Sequence, residues 1–138
     1  MHAVLDTNVL VSALKSSAGA SAEVLRLIRS GRIRIAVSVP LIAEYESVLL
    51  RPGLVPSLSS SEITTIIDGL CSLAWHQEIY YLWRPHLSDP QDEMVLEVAL
   101  AARMNYIITH NTSDFGPAKH VGVRAITPAE ALMIISKP

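Results

Sequence analysis

The chain has 138 residues, half of them hydrophobic and 17% charged, with a formal net charge of −2. That much apolar material can close one packed core and excludes a disordered chain. A charge so close to neutral excludes a bulk electrostatic grip on nucleic acid but leaves room for a local basic rim, and no apolar stretch reaches the roughly 18 residues a membrane span needs.

In chain order, the run His2-Ala-Val-Leu-Asp-Thr-Asn-Val-Leu-Val11 reads as a strand at Val4-Leu5 that stops at Asp6. Residues 8–30 read as one or two helices, broken near Gly19 and stopped at Gly31. Residues 33–39 read as a second strand. Pro40 suits the first turn of a helix that runs to about residue 50 and ends before Pro52. Residues 53–61, rich in Pro, Gly and Ser, form a loop. Ser61-Glu-Ile-Thr begins a helix expected to reach about Trp75. The aromatic stretch 78–83 suits a strand. Asp89-Pro90 has the form of a helix N-cap followed by proline at the first helical position, opening a helix to about Arg103. Tyr106-Ile-Ile-Thr109 is a short strand and residues 123–126 the last one, with Thr127-Pro-Ala-Glu130 opening a terminal helix. Such alternation predicts an α/β fold in a single domain over residues 1–138. Right-handed crossovers would build a central, mostly parallel sheet covered on both faces. Its binding crevice falls at the carboxyl ends of the strands.

Acids and amides sit at those ends: Asp6 after the first strand, Glu44 early in the helix from Pro40, Asp92 and Glu93 at the start of the helix from Pro90, Asn111 and Asp114 after the strand ending at Thr109. Carboxylate oxygens without histidine or thiol suit Mg²⁺ or Mn²⁺, and such a site performs phosphodiester hydrolysis. Each acid also has a simpler use. Asp6 can cap the helix that follows it, and Asp114 can form a turn in Asn-Thr-Ser-Asp. The helical wheel leaves Glu44 and Glu46 flanking the apolar arc of Leu41, Ile42, Tyr45, Val48 and Leu49 almost symmetrically. It places Asp92 on the stripe of Val95, Leu96 and Ala99, facing inward at the helix mouth, and Glu93 beside Glu97 on the polar side. Asp92 could also simply favour the helix N-terminus.

These segments together resemble PIN-domain nucleases, as in the VapC toxins of bacterial toxin–antitoxin pairs. Leu5-Asp-Thr-Asn-Val-Leu-Val-Ser-Ala13 resembles the opening motif and Ser38-Val-Pro-Leu-Ile-Ala-Glu-Tyr-Glu-Ser-Val-Leu-Leu-Arg-Pro52 the second. Asp89-Pro-Gln-Asp-Glu-Met-Val-Leu-Glu-Val-Ala-Leu-Ala101 is similar to the third, and Tyr106-Ile-Ile-Thr-His-Asn-Thr-Ser-Asp-Phe115 to the fourth. The resemblance covers nearly the whole chain in family order. It implies a PIN-like α/β/α sandwich and a Mg²⁺- or Mn²⁺-dependent ribonuclease acting on single-stranded or structured RNA. It also implies a homodimer and, for toxin members, an antitoxin whose C-terminal segment fills the active-site groove. By position it makes Asp6 the first acid and Glu44 the second, ahead of Glu46, with Asn8 and Thr109 supporting the site. In the third motif helical phase favours Asp92, whereas the toxin spacing counted back from Thr109 lands on Glu93; Asp92 is taken as the ligand. In the fourth, Asn111 stands where many members have aspartate, so Asp114 is assigned the acidic role and Asn111 a neutral oxygen. Asp6 and Asp92 would then bind metal directly, Glu44 would orient or deprotonate water, and Asp114 with Asn111 would hold a water.

Other readings of the same residues fare less well. A phosphoacceptor receiver domain needs an acidic pair after the first strand and a lysine after the fifth; Ile126-Thr-Pro lacks the lysine. A haloacid-dehalogenase phosphatase needs a second aspartate where this chain has Asn8. A dinucleotide-binding domain needs a glycine-rich first turn, and residues 6–14 contain no glycine. A PIN-like module that binds RNA or protein without cutting remains the alternative. The single cysteine, Cys71, reads as a buried structural thiol in a reducing cytoplasm, and the N-terminus has no signal-peptide pattern. Arg26, Arg29, Arg32, Arg34 and Arg51 read as a solvated face. Trp75 and Trp83 could stack on bases but read as packing residues. The apolar residues of the helix from Ser61 read as its core face, and His76, His86, His110 and His120 form no metal pattern.

Overall fold

The computed structural model describes residues 1–79 and 87–137. Among these the order is β1 (His2–Leu5), α1 (Thr7–Lys15), α2 (Ala20–Arg29), β2 (Arg34–Val37), α3 (Val39–Leu49), α4 (Ser60–Leu73), β3 (Trp75–His76), α5 (Pro90–Ala101), β4 (Tyr106–Ile108), a 3₁₀ segment (Thr112–Val121), β5 (Arg124–Ile126) and α6 (Pro128–Ser136). The strands pair in parallel in the order β3-β2-β1-β4-β5. This is the α/β sandwich with a parallel sheet that the alternation of segments led us to expect. Ala3, Val4 and Leu5 of the central strand are completely buried, as a strand covered on both faces requires.

The chain lays β2 and then β3 on one side of β1, then returns to place β4 and β5 on the other. The winding therefore reverses between β1 and β4, and a crevice opens at their carboxyl ends. The register pairs Leu5 with Ile108, so Asp6 and Thr109 leave the sheet side by side. The Asp6 N–H donates to Ile108 O at 3.0 Å and extends the ladder by one step.

Local chemistry sets most of the boundaries. Ser38 caps α3 by accepting from the Leu41 N–H, with Pro40 in the first turn. Capping boxes open α4 (Ser59 with Glu62) and α6 (Thr127 with Glu130). α2 is followed by Gly31 at φ +82°, a left-handed turn that glycine adopts without steric cost. The single phenylalanine, Phe115, is buried and anchors the 3₁₀ segment.

The region 8–30, read as one or two helices broken near Gly19, is two, with residues 16–19 between them. Other expectations need correction. The helix expected to reach Trp75 ends at Leu73, and Trp75 opens β3, because the free edge of β2 captures it. Ala36 pairs with Trp75 and Val37 with His76, and the Gln77 N–H continues onto Val37 O at 2.8 Å. Of the strand expected at 78–83, residues 78 and 79 carry no strand, and the rest, with Trp83 and His86, lies outside the described residues. Trp75 does not pack into the core; it is 64% exposed, with its indole N–H on Gln77 Oε1. Cys71 is half-buried, not fully buried; burial first, then the charges of Asp68 and Glu46, push its thiol pKa up. α5 stops short of Arg103. That residue turns left-handed (φ +57°) and the Met104 N–H closes back on Ala99 O at 2.8 Å, the bond of a Schellman ending.

A buried polar contact ties α3 to the sheet. Tyr45 is buried and its hydroxyl donates to the carbonyl of Leu5, the last residue of β1. Burial, with the nearby charges of Asp6 and Cys71, holds the phenol far above its ordinary pKa, so it stays a donor. Tyr45→Phe leaves that carbonyl without this donor at a cost of about 1–2 kcal/mol. The expected result is a melting temperature lower by roughly 4–8 °C, read by calorimetry; an unchanged melting curve would show that the bond contributes nothing.

Candidate active site

Asp6 ends β1 and at the same time caps α1. Its Oδ1 accepts from the Thr7 N–H at 2.8 Å, and its Oδ2 accepts from the hydroxyl of Thr109 at 2.8 Å. Both bonds favour the charged carboxylate. Burial opposes them and is the larger effect, and the charges of Asp114 and Asp89 add to it, so the Asp6 pKa is raised.

Thr109 is completely buried at the end of β4. Besides donating to Asp6, its Oγ1 accepts from the Asn111 N–H at 3.0 Å and lies 3.5 Å from Asn8 Nδ2. Asn8 Oδ1 in turn accepts from the His110 N–H at 3.3 Å, and the His110 ring meets Ser21 Oγ at 3.0 Å. Asn8 and Thr109 thus form the connection between α1 and the turn after β4.

Asp92, in the first turn of α5, is half-buried. Its pKa is pushed up to about 6, first by burial and then by the charges of Asp6, Asp89 and Asp114. Those couplings bring four carboxylates to one end of the sheet. Asp89 was read only as the cap of α5, a role it does fill by accepting from the Gln91 N–H at 2.9 Å. Its spacing of three from Asp92 was the available signal, since residues so placed share a helix face.

Glu93 is not on the polar side of α5 as the wheel implied. It is buried, and its Oε2 accepts from the Leu87 N–H at 2.7 Å. A long side chain can reach back past the helix start to satisfy a buried donor, which an apolar-stripe count does not register. Glu44 is half-buried while Glu46 is exposed. Glu44 lines a cleft of about 540 Å³ with Thr7, Asn8, Ser12, Lys15 and Arg51, so the near-symmetry of the wheel is broken by packing. Asp114 is exposed just before the Phe115 anchor, and its N–H donates to Asn111 O. Asn111 is exposed and its side chain makes no capping bond.

The donor set is oxygen throughout, which suits a hard divalent cation. Among the described residues no lysine, arginine or histidine forms an ion pair with Asp6, Asp89, Asp92 or Asp114; Arg26–Glu23 is the pair present. Mutually repelling, partly desolvated carboxylates with no basic partner are what a cation would relieve. Among the described residues no three His, Cys, Asp or Glu side chains converge into a ready-made cage. The fit is therefore to an ion held by one or two carboxylates and completed by water, which is how Mg²⁺ is commonly bound.

A family model described as PIN domain matches residues 2–113. No curated protein matches the sequence. Among solved structures, VapBC2 from Rickettsia felis, bound to a DNA fragment from its promoter, superposes with a TM-score of 0.60 at 16% identity, covering 92% of this chain and 98% of that one. FitAB bound to an IR36 DNA fragment gives a TM-score of 0.61 at 18% identity, covering 91% and 94%.

The raised pKa of Asp92 has a consequence for stability. A carboxyl that binds its proton more tightly folded than unfolded makes the fold more stable as pH falls from above 6 towards the ordinary carboxylate range. In metal-free protein, Asp92→Asn should melt higher than the parent at pH 7.5, and the gap should close as pH falls through about 6. Melting curves of both proteins across that range test it; a gap that is absent, or that widens on acidification, would refute the raised pKa.

Proposed function

The chain belongs to the PIN domain family, and from that premise we propose that it is an endoribonuclease dependent on Mg²⁺ or Mn²⁺, the toxin of a toxin–antitoxin pair. The observation that carries this reading is the set of carboxylates at the β1–β4 switch point, where burial and the neighbouring acidic charges raise the pKa of Asp6 and Asp92 without a basic partner among the described residues. In this reading Asp6 and Asp92 hold the cation, and Asp114, with Asn111 beside it, completes the acidic rim. Asp89 adds charge at the same mouth. A bound divalent cation would supply charge neutralisation at the scissile phosphate and lower the pKa of water.

The protein's own groups then have definite tasks. Thr109 fixes the Asp6 carboxylate by holding Oδ2, while the Thr7 N–H holds Oδ1, so its remaining lone pairs keep a constant direction. Asn8 braces the turn after β4 through the His110 N–H. Glu44, on the neighbouring wall of the cleft, is the group assigned to orient a water or accept its proton. VapBC2 and FitAB, solved bound to DNA fragments, share this fold; their names support a partnership between this chain and an antitoxin protein. A homodimer in the cytoplasm belongs to the same reading. Among the described residues no helix is long and apolar enough to cross a membrane.

The alternative is a PIN-like module that binds RNA or protein without cutting. The lack of a converged three-ligand cage among the described residues favours it, as does Asn111 in an acidic position. Manganese titration separates the two. A nuclease site should raise the melting temperature, by about 2.7 kcal/mol of stabilisation at a hundred times Kd; the non-catalytic module should show no response.

The direct test is cleavage of labelled RNA with Mg²⁺ or Mn²⁺. Asp6→Asn should lower kcat/KM by about a hundredfold or more, as loss of an essential acid does. Cleavage by Asp6→Asn at the parent rate would remove Asp6 from the mechanism.

A further inference from the structure

The cleft between α1 and α3 carries a chemistry that the carboxylates do not explain. It runs from Glu44 and Asn8 past Val11, Ser12, Lys15 and Ser16 on one wall, and past Val48, Arg51 and Leu54 on the other. Its walls are of two kinds. Val11, Val48 and Leu54 supply apolar surface, whereas Ser12 and Ser16 supply hydroxyls. Lys15 and Arg51 are exposed and form no ion pair or hydrogen bond through their side chains among the described residues. Lys15 lies in the last turn of α1, and Arg51 follows Leu50, the C-cap of α3.

We propose that this cleft is a subsite for one unpaired nucleotide of the RNA strand, adjoining the scissile phosphate. Lys15 and Arg51 would hold its flanking phosphates, and its base would lie on the apolar wall. The inference rests on the proposed RNA substrate and adds the groups of this chain that would hold it beside the acids. The physical argument is one of charge and shape. The carboxylate end of the crevice repels a polyanion, and the chain's net charge is −2, so an RNA strand needs local cations next to the acids. Lys15 and Arg51 line the same cleft as Glu44. A concave site with an apolar wall accepts a splayed base, which single-stranded RNA offers and an A-form helix does not.

The experiment measures binding and cleavage separately, on the full chain. In an Asp6→Asn background, anisotropy of a fluorescein-labelled single-stranded RNA is followed against salt, with a duplex of the same sequence in parallel. Lys15→Ala and Arg51→Ala should each weaken single-strand binding several-fold. Each should also flatten the dependence of log K on log salt by about 0.7, the counterion share of one phosphate contact on a single strand. Leu54→Asp, which places a carboxylate on the apolar wall, should weaken it further, and the duplex should bind more weakly throughout. With Asp6 intact, the Lys15→Ala, Arg51→Ala pair should raise KM more than it lowers kcat. Melting curves confirm that each variant is folded. Unchanged affinity and salt slope in the double variant would overturn the subsite, as would equal binding of the duplex. Failure of the parent to cut any RNA, with these binding effects intact, would overturn the nuclease reading and leave the subsite standing.

Discussion

The structure depends on one hydrogen bond across the point where the sheet reverses its winding. Asp6 and Thr109 are the first residues beyond paired positions of β1 and β4, and the threonine hydroxyl donates to the aspartate. A carboxylate taken out of water is costly unless it is hydrogen-bonded. Here one oxygen takes the Thr7 N–H and the other takes Thr109. Each bond also does structural work, the first starting α1 and the second fastening α1 to the turn after β4. Capping and a chemical role are therefore compatible in Asp6, since the bonds that satisfy it also fix its orientation.

Around that bond the molecule accepts repulsion at one end of the sheet and offsets it with packing elsewhere. The charges of Asp89, Asp92 and Asp114 act on Asp6 or on one another, which destabilises the empty site. Neutral contacts hold the frame: Tyr45 on the Leu5 carbonyl, Phe115 in the core beneath the 3₁₀ segment, and a buried run through β1, β2 and β4. Glu93 also helps to hold the frame. By accepting from the Leu87 N–H it fixes the approach to α5, and so the direction in which Asp89 and Asp92 enter the crevice. Adjacent acids in one helix thus serve different ends, one structural and one at the mouth.

Much of this was legible in the sequence, for identifiable reasons. Apolar runs at residues 2–5, 34–37 and 106–108 mark strands buried on both faces, and cap residues such as Ser38, Thr127 and Asp89 mark helix starts. Asp6 and Asp92 followed from their places at a strand end and in a first turn, and Thr109 from the family resemblance. What was not legible depended on tertiary contact. Nothing local says that Glu93 will reach back to Leu87, or that the free edge of β2 will take Trp75 out of the preceding helix. Asp89 was visible only as a cap, because its electrostatic role exists only once β1 and α5 are brought together. The difference between half-buried Glu44 and exposed Glu46 likewise depends on the neighbouring α1, which the helical wheel of α3 does not contain.

If the substrate is RNA, as proposed, the distribution of charge explains how a chain of near-neutral net charge can serve a polyanion. Uniform basicity would give affinity without register, because phosphate contacts orient a strand only where they are few and fixed. Here the acids are gathered at the carboxyl ends of β1 and β4, while Lys15 and Arg51 stand on the cleft that opens from Glu44. A strand drawn to the cations is carried towards the carboxylates, and a cation bound among them would turn their repulsion into attraction at a single phosphate. In that reading affinity comes from one end of the groove and chemistry from the other. That separation requires α1, which carries Asp6 at its cap and Lys15 in its last turn, to be rigidly set against the sheet. The Thr109 bond supplies that constraint, so the alignment of the cleft with the acids follows from the same contact that orders the switch point.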